Sequence, residues 1–195
     1  MANRRYWWVN HKQTAGQEIG GGFLWSPKTE ANGARSQYCE NMRRAVAGDI
    51  VASYANGSVG HIGTVIGEAI TSPKPDFRSA GTTWSAEGWR LPVRWLPMPT
   101  RVRPKNHWSE LSELFPQKYS PINKEGNGNQ KAYLTEVREK LIQRIAELGG
   151  FDLRELGPSR LEEDLARPIH GVRDFAVTFG LPDCGRAAPF GYFAA

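Results

Sequence analysis

The chain has few cysteines, no long apolar run and no cluster of histidines. Its two cysteines, Cys39 and Cys184, form no pair motif, which excludes a disulfide framework and a cysteine-rich zinc site. The four histidines are isolated, and none has a partner at a metal-ligand spacing. Phosphate loops, dinucleotide fingerprints and nucleophile elbows are absent from the sequence as well. We therefore expect no cofactor, no metal and no catalytic residue.

Membrane and export signals are also lacking. No apolar run reaches the ~18 residues that a spanning helix needs. The apolar stretch at residues 6–9 is too short for the core of a signal peptide. The expectation is a cytoplasmic protein with no membrane partner.

Charge is abundant but uneven. Residues 149–195 contain seven acidic and five basic side chains, whereas residues 1–148 contain 20 basic and 13 acidic ones. A positive field attracts phosphate backbones, although many basic proteins bind no nucleic acid.

Seven tryptophans are the most informative feature of this basic chain. Trp84 and Trp89 lie five residues apart, and Trp25 precedes Ser26 and a proline. An aromatic ring offers a flat face on which a base can stack, worth ~1–3 kcal/mol per base. Tryptophan is also a largely buried residue type, so the alternative is that all three are core residues.

The coarse pattern predicts a small curved β-sheet or barrel with helices packed outside. Strands are expected at residues 5–10, 23–25, 50–54, 61–66 and 89–96, with a hairpin turn at Asn56-Gly57. Helices are expected at residues 36–45 and 106–115, at 131–148 with the clearest periodicity, and from Ser159 onward. Glycines 20–22 predict a flexible loop, and residues 71–83 a second loop.

Several stretches in order resemble the EVE/YTH branch of the PUA-like superfamily. Trp25-Ser26 is similar to the "WS" that opens the YTH pocket, and Trp84 and Trp89 followed by residues 93–95 are similar to "WSxxxW…VRW". Further similarity lies in the aromatic stretch 6–10, in residues 46–51 (the "VGDLV" of EVE domains) and in the hairpin at residues 53–65.

The resemblance implies an α+β fold, a PUA-like curved β-barrel flanked by helices. It also implies that Trp25, Trp84 and Trp89 form an aromatic cage for an extruded methylated base. Tyr54, in the hairpin stretch, is assigned to the same site. Ser26 and Asn10 are candidates to read the base edge, and hydrogen bonding in turns and caps is the alternative for both.

Residues 126–130, followed by 132–134, resemble a stretch that follows the EVE-like specificity domain of HNH-type, modification-dependent restriction endonucleases. That resemblance points to DNA containing 5-methylcytosine or 5-hydroxymethylcytosine. Asn127 and Asn129 would then face a phosphate, or else simply cap a helix. The paired histidines of the HNH nuclease are missing, so cleavage is assigned to another domain or subunit.

The organisation expected from these features is an EVE/YTH-like domain over residues 1–115 and a helical extension and tail over 116–195. Candidate contacts to the nucleic-acid backbone are Lys28, Arg43, Arg90 and Arg94, unless these are ordinary solvated charges. Two alternatives to the DNA reader remain: a reader of N6-methyladenine in RNA or DNA, and an RNA-modifying enzyme that uses Glu87.

Overall fold

The fold is built on one curled, mixed sheet. The computed structural model describes residues 4–29, 33, 37–129 and 131–157. Their strands are β1 (Tyr6–Asn10), β2 (Phe23–Pro27), β3 (Ile50–Ala55), β4 (Ser58–Val65), β5 (Ile70–Pro73), β6 (Glu87–Val102) and β7 (Leu134–Val137). Their helices are α1 (Ala15–Gly21), α2 (Gln37–Arg44), α3 (Trp108–Leu111) and α4 (Glu139–Leu148), with 3₁₀ turns at Pro104–His107, Ser112–Leu114 and Leu153–Leu156.

The strand order leaves a gap that matters for the site. The strands run β2-β6-β4-β3-β1-β7, with β5 also paired to β6. β1 and β3 are parallel, and the other pairs are antiparallel. Within the described residues the terminal strands β2 and β7 are not paired with each other. The gap between them, called the seam below, is bridged by side chains.

Two apolar clusters fill the two faces of the sheet. Successive side chains of a strand point to opposite faces, and the adjacent Trp7 and Trp8 therefore enter different clusters. Both indoles have no exposed surface. The face with Trp8 also receives Leu141, Ile142 and Ile145 from α4. The N-terminal aromatic strand is thus core on both sides.

The domain boundary expected after residue 115 falls inside this unit. β7 pairs with β1, with Tyr6 opposite Val137, and α4 packs into the same cluster as Trp8. The described residues up to Gly157 belong to one compact unit. The helix expected from Ser159 and the tail after it lie outside the described residues.

The predicted helix at 131–148 is wrong over its first half. Residues 134–137 form β7, and the helix begins at Glu139. Leu134 and Val137 are three apart, a spacing that a helix face would share, but in the sheet they lie on opposite faces. Backbone pairing with β1 outweighs the local pattern here.

Three further local predictions change. The predicted glycine loop contains part of α1, which ends where Gly22 adopts a left-handed φ of 68°. The first three residues of the second predicted loop, 71–73, belong to β5, which pairs with β6. The predicted helix at 106–115 is only one turn of α-helix between two 3₁₀ turns. In the described residues no helix is both long and apolar enough to span a membrane.

Candidate nucleic-acid interface

A cavity of about 340 Å³ opens at the seam. Its wall is drawn from the end of β1, from β2, from α2 and from the residues that precede β7, and includes Trp25, Ser26, Cys39 and Tyr133. Trp84 completes it from the turn before β6. The cavity is called the tryptophan cavity below. Elements far apart in sequence meet here because the sheet curls its two terminal strands toward each other.

Two of the three predicted cage tryptophans come together. Trp25 and Trp84 have ring centroids 6.2 Å apart and planes within 23° of parallel. The edge of Phe77 packs against both rings, at 5.8 Å from Trp25 and 6.0 Å from Trp84. Trp25 is only 1% exposed, whereas Trp84 is 40% exposed. One indole is therefore a fixed floor, and the other is accessible from solvent.

Glycines allow both indoles to take these positions. A β-carbon on Gly81, whose φ is +66°, would collide with the Trp84 indole. A β-carbon on Gly88 would collide with the Trp25 indole and with the carbonyl oxygen of Ser26. The two indoles can therefore lie this close to the backbone only because Gly81 and Gly88 have no β-carbon.

Trp89 is not brought into the cage. It lies opposite Ser26 in the β2–β6 pair, whereas Trp25 lies opposite Arg90, so the two indoles point to different faces of the sheet. Trp89 packs against the apolar cluster that contains Trp7. It does not line the tryptophan cavity. Phe77 is the third ring beside Trp25 and Trp84.

A buried polar network holds the floor of the tryptophan cavity. α1 places Glu18 so that its carboxylate contacts His11 Nδ1 and accepts hydrogen bonds from the Tyr133 hydroxyl (2.6 Å) and the Trp25 amide (3.1 Å). Glu18 has no exposed surface. Burial, and then the neighbouring Glu18 carboxylate, raise the pKa of Tyr133 well above its ordinary value. The neutral phenol therefore donates to the carboxylate and fixes the backbone of β2 at Trp25.

Ser26 lines the tryptophan cavity, but its hydroxyl already has hydrogen-bond partners within the protein. Its hydroxyl is close to two acceptors, Cys39 Sγ and the Pro27 carbonyl, both at 3.2 Å. The single hydroxyl hydrogen can serve one of them at a time, and its lone pairs stay free to accept. Ser26 can therefore accept a hydrogen bond from a ligand more readily than donate one.

Asn10, the last residue of β1, connects this strand to the loop before β7. Its amide nitrogen donates to the carbonyls of Pro121 (2.9 Å) and Asn129 (3.2 Å), and its amide oxygen accepts from Trp8 Nε1 at 3.0 Å. Both amide hydrogens are thus used. The structure ties the loop before β7 to the end of β1 through this side chain.

The remaining predicted residues of the base site and the loop asparagines gather at a second cavity of about 340 Å³. Tyr54, Asn127 and Asn129 line it, and Asn10 and Lys12 are shared with the tryptophan cavity. Burial raises the pKa of Tyr54, whose ring also belongs to the core cluster around Trp8. We call this space the asparagine cavity.

The predicted backbone cations do not form one surface. Lys28 pairs with Glu87 at 2.6 Å and lies 4.7 Å above the Trp89 ring, and Arg43 covers the same ring at 5.2 Å. Arg90 lies 4.2 Å above the Phe23 ring. These contacts are cation–π pairs at the sheet surface, and none of the cations lines either cavity.

Arg94 and Glu87 have structural partners. Arg94 donates to the carbonyl of Gly157 at 2.7 Å, so it anchors the residue that follows the 3₁₀ turn Leu153–Leu156. Glu87 is an exposed member of the ion pair with Lys28 and does not line the tryptophan cavity. Within the described ranges, no group of three or more His, Cys, Asp or Glu side chains is placed to hold a metal.

Sequence reasoning missed four residues of the site. Lys12 and Lys131 are exposed and line the tryptophan cavity. Phe77 lies in a predicted loop, and Tyr133 in a predicted helix. The signal that could have found Tyr133 was its place four residues after the Gly-Asn-Gly-Asn stretch. Nothing local distinguishes Lys12 from other surface lysines.

Comparison with known proteins bears on the fold alone. No protein-family model and no curated protein matches the chain. Among solved structures, it is similar to the YTH domain of Zygosaccharomyces rouxii MRB1 protein in complex with N6-methyladenosine RNA. The identity is 11%, the TM-score is 0.50, and the match covers 75% of this chain and 87% of that one.

A second similar structure is the DUF55 domain of human thymocyte nuclear protein 1, at 12% identity and TM-score 0.48 over 75% of this chain and 99% of that one. A third is a protein from Agrobacterium tumefaciens, at 17% identity and TM-score 0.49 over 79% and 96%. The curled mixed sheet with its flanking helices and the MRB1 match confirm the expected α+β architecture. The chain has the fold of the MRB1 YTH domain.

Proposed function

We propose that the protein is a nucleic-acid-binding reader of a modified base, which enters the tryptophan cavity between Trp25 and Trp84. The observation that carries this proposal is the pair of nearly parallel indoles, 6.2 Å apart. A centroid separation of 6.2 Å is in the range of two aromatic rings in direct contact, so a base enters only when the two indoles move apart. Trp84 is on an exposed turn, and its displacement from the fixed Trp25 ring would admit the base.

The energetics favour an extruded base. Extruding a base from a duplex costs a few kcal/mol, and extruding one from a single strand costs less. Two aromatic faces at ~1–3 kcal/mol each offset that cost. A methyl group on the base would meet the two indoles, where it would displace water. Lys12 and Lys131, exposed beside the tryptophan cavity, would take the flanking phosphates.

We infer further that the nucleic acid is DNA and that the base is 5-methylcytosine or 5-hydroxymethylcytosine. The support is the resemblance of residues 126–130 to the stretch that follows the specificity domain of modification-dependent restriction endonucleases. In that role the chain supplies recognition, and a nuclease domain or subunit supplies cleavage.

A second candidate is a reader of N6-methyladenine in RNA. The observation that favours it is the fold shared with the MRB1 domain, whose structure holds N6-methyladenosine RNA. Both candidates use the same indoles and differ in the base edge that is read.

One titration separates the two candidates. Matched DNA and RNA oligonucleotides carrying 5-methylcytosine, 5-hydroxymethylcytosine, N6-methyladenine or no modification would be titrated by fluorescence anisotropy at one fixed salt concentration. The DNA reader predicts the tightest binding to a modified-cytosine duplex. Tightest binding to N6-methyladenine RNA would select the second candidate. Equal binding of modified and unmodified probes would reject both.

A further inference from the structure

The asparagine cavity adjoins the tryptophan cavity. Its walls are the tip of the β3–β4 hairpin, residues 55–57, and the loop residues 127–129. The two cavities share Asn10 and Lys12, so they lie on either side of the chain where β1 ends. A strand that placed a base in one would pass the mouth of the other.

Its walls are held in place by local structure. The hairpin tip is closed by Asn56 and Gly57, with left-handed φ values of 53° and 76°. A β-carbon on Gly128 would lie 2.8 Å from the Tyr54 ring, so only glycine allows that approach. On the other side, the bond from Asn10 to the Asn129 carbonyl joins the loop to β1. The cavity is therefore built before any ligand arrives.

The chemistry of the lining suits a nucleotide. Asn56 and Asn127 are exposed, and within the described residues neither side-chain amide has a hydrogen-bond partner. Asparagine amides offer a donor and an acceptor side by side, which matches the edge of a base, adenine above all. Lys12 supplies a positive charge for a phosphate, and among the residues that the structure describes no carboxylate lines the cavity.

We propose that the asparagine cavity binds the nucleotide next to the modified base and thereby gives the protein a preference for sequence context. This inference rests on the proposed reader function. Asn56 and Asn127 read the edge of the neighbouring base, and Lys12 holds the phosphate between the two nucleotides.

The test uses the full chain and 5-methylcytosine duplexes in which the bases on both sides of the modified position are varied, with an N6-methyladenine RNA series in parallel. The variants are Asn127→Ala and Asn56→Gly, the second chosen because glycine keeps the left-handed turn. Asn106→Ala is the control, since Asn106 is exposed and lines neither cavity. Each protein is also titrated with the modified nucleoside monophosphate alone.

We expect the wild-type affinity to vary about fivefold or more among contexts. Asn127→Ala and Asn56→Gly should reduce that variation to within about twofold and leave the monophosphate affinity unchanged. Asn106→Ala should behave as wild type. Context preference that survives in both cavity variants would overturn the inference and leave the reader function intact, as would a wild-type protein without context preference. A wild-type protein indifferent to modification would overturn both.

Discussion

Replacement of Trp84 by alanine is the sharpest test of the aromatic cage. Trp84 offers the accessible face of the pair and stacks on Trp25. Loss of one stacking face should cost ~1–3 kcal/mol of binding free energy, or roughly 5- to 150-fold in Kd. The loss should apply to the modified probe and leave weak, charge-driven binding of the unmodified probe nearly unchanged.

Stability must be separated from binding in this experiment. Trp84 is 40% exposed and sits on a turn, so we expect its removal to lower the free energy of unfolding by only about 1–2 kcal/mol, below the ~3–5 kcal/mol of a buried tryptophan. Trp25 is 1% exposed and would incur the larger cost, which makes Trp25→Ala the poorer variant. The matched control is Trp108→Ala, because Trp108 stacks on Phe115 at 5.8 Å and lines neither cavity.

The measurements are anisotropy titrations of modified and unmodified oligonucleotides together with urea unfolding. Trp108→Ala should lower stability and leave the ratio of the two affinities intact. If Trp84→Ala remains folded and keeps the wild-type ratio, the two indoles do not hold the base and the reasoning is refuted.

Three further predictions concern Trp89, Tyr133 and His61. Trp89→Leu should lower the free energy of unfolding, measured in urea, by about 1–3 kcal/mol and leave base discrimination unchanged, since Trp89 packs on the other face of the sheet; a lost preference would return Trp89 to the cage. Tyr133→Phe removes a hydrogen bond to the Glu18 carboxylate and should cost ~1.5–3 kcal/mol in the same assay. Because the pKa of Tyr133 is raised, the folded protein holds that proton more tightly, so its contribution to stability is complete below pH 10.0 and is lost as the pH rises above it. The free energy of unfolding should therefore fall less steeply above pH 10.0 in Tyr133→Phe than in the wild type. An equally steep fall would contradict the raised pKa of Tyr133. His61 should titrate below 6.5 in an NMR experiment, because burial and then the Arg101 charge lower its pKa. Arg101→Gln should raise that pKa, and a fall or no change would exclude the charge effect.

Much of the sheet could be predicted from local patterns. The Asn56-Gly57 turn fixes the hairpin because both positions need a left-handed φ, and the alternation from Trp89 to Trp95 marks β6. β7 could not be predicted, since Leu134 and Val137 fit a helix face as well as a strand. Only pairing with β1, more than 120 residues earlier, decides between the two.

The site was harder to predict than the fold. The five-residue spacing of Trp84 and Trp89 placed both in one cage, but Trp84 lies on a turn and can face any direction. The alternation that puts Trp89 with Leu91 and Val93 already placed it on the core face, and that signal was the better guide. Phe77 joins Trp25 and Trp84 only through the path of a long loop, which no local pattern encodes.

The seam also bears on how the protein behaves at high concentration. Unpaired strand edges are templates on which other chains can add. Here the outer edge of β2 is capped where Glu18 and Tyr133 accept the Trp25 amide proton, and that of β7 is capped where Asn41 donates to the Leu134 carbonyl at 2.9 Å. A chain that loses these caps would expose two unpaired strand edges while most of its interior stays folded. Self-association would then precede unfolding, and solubility would report damage at the seam sooner than a melting curve.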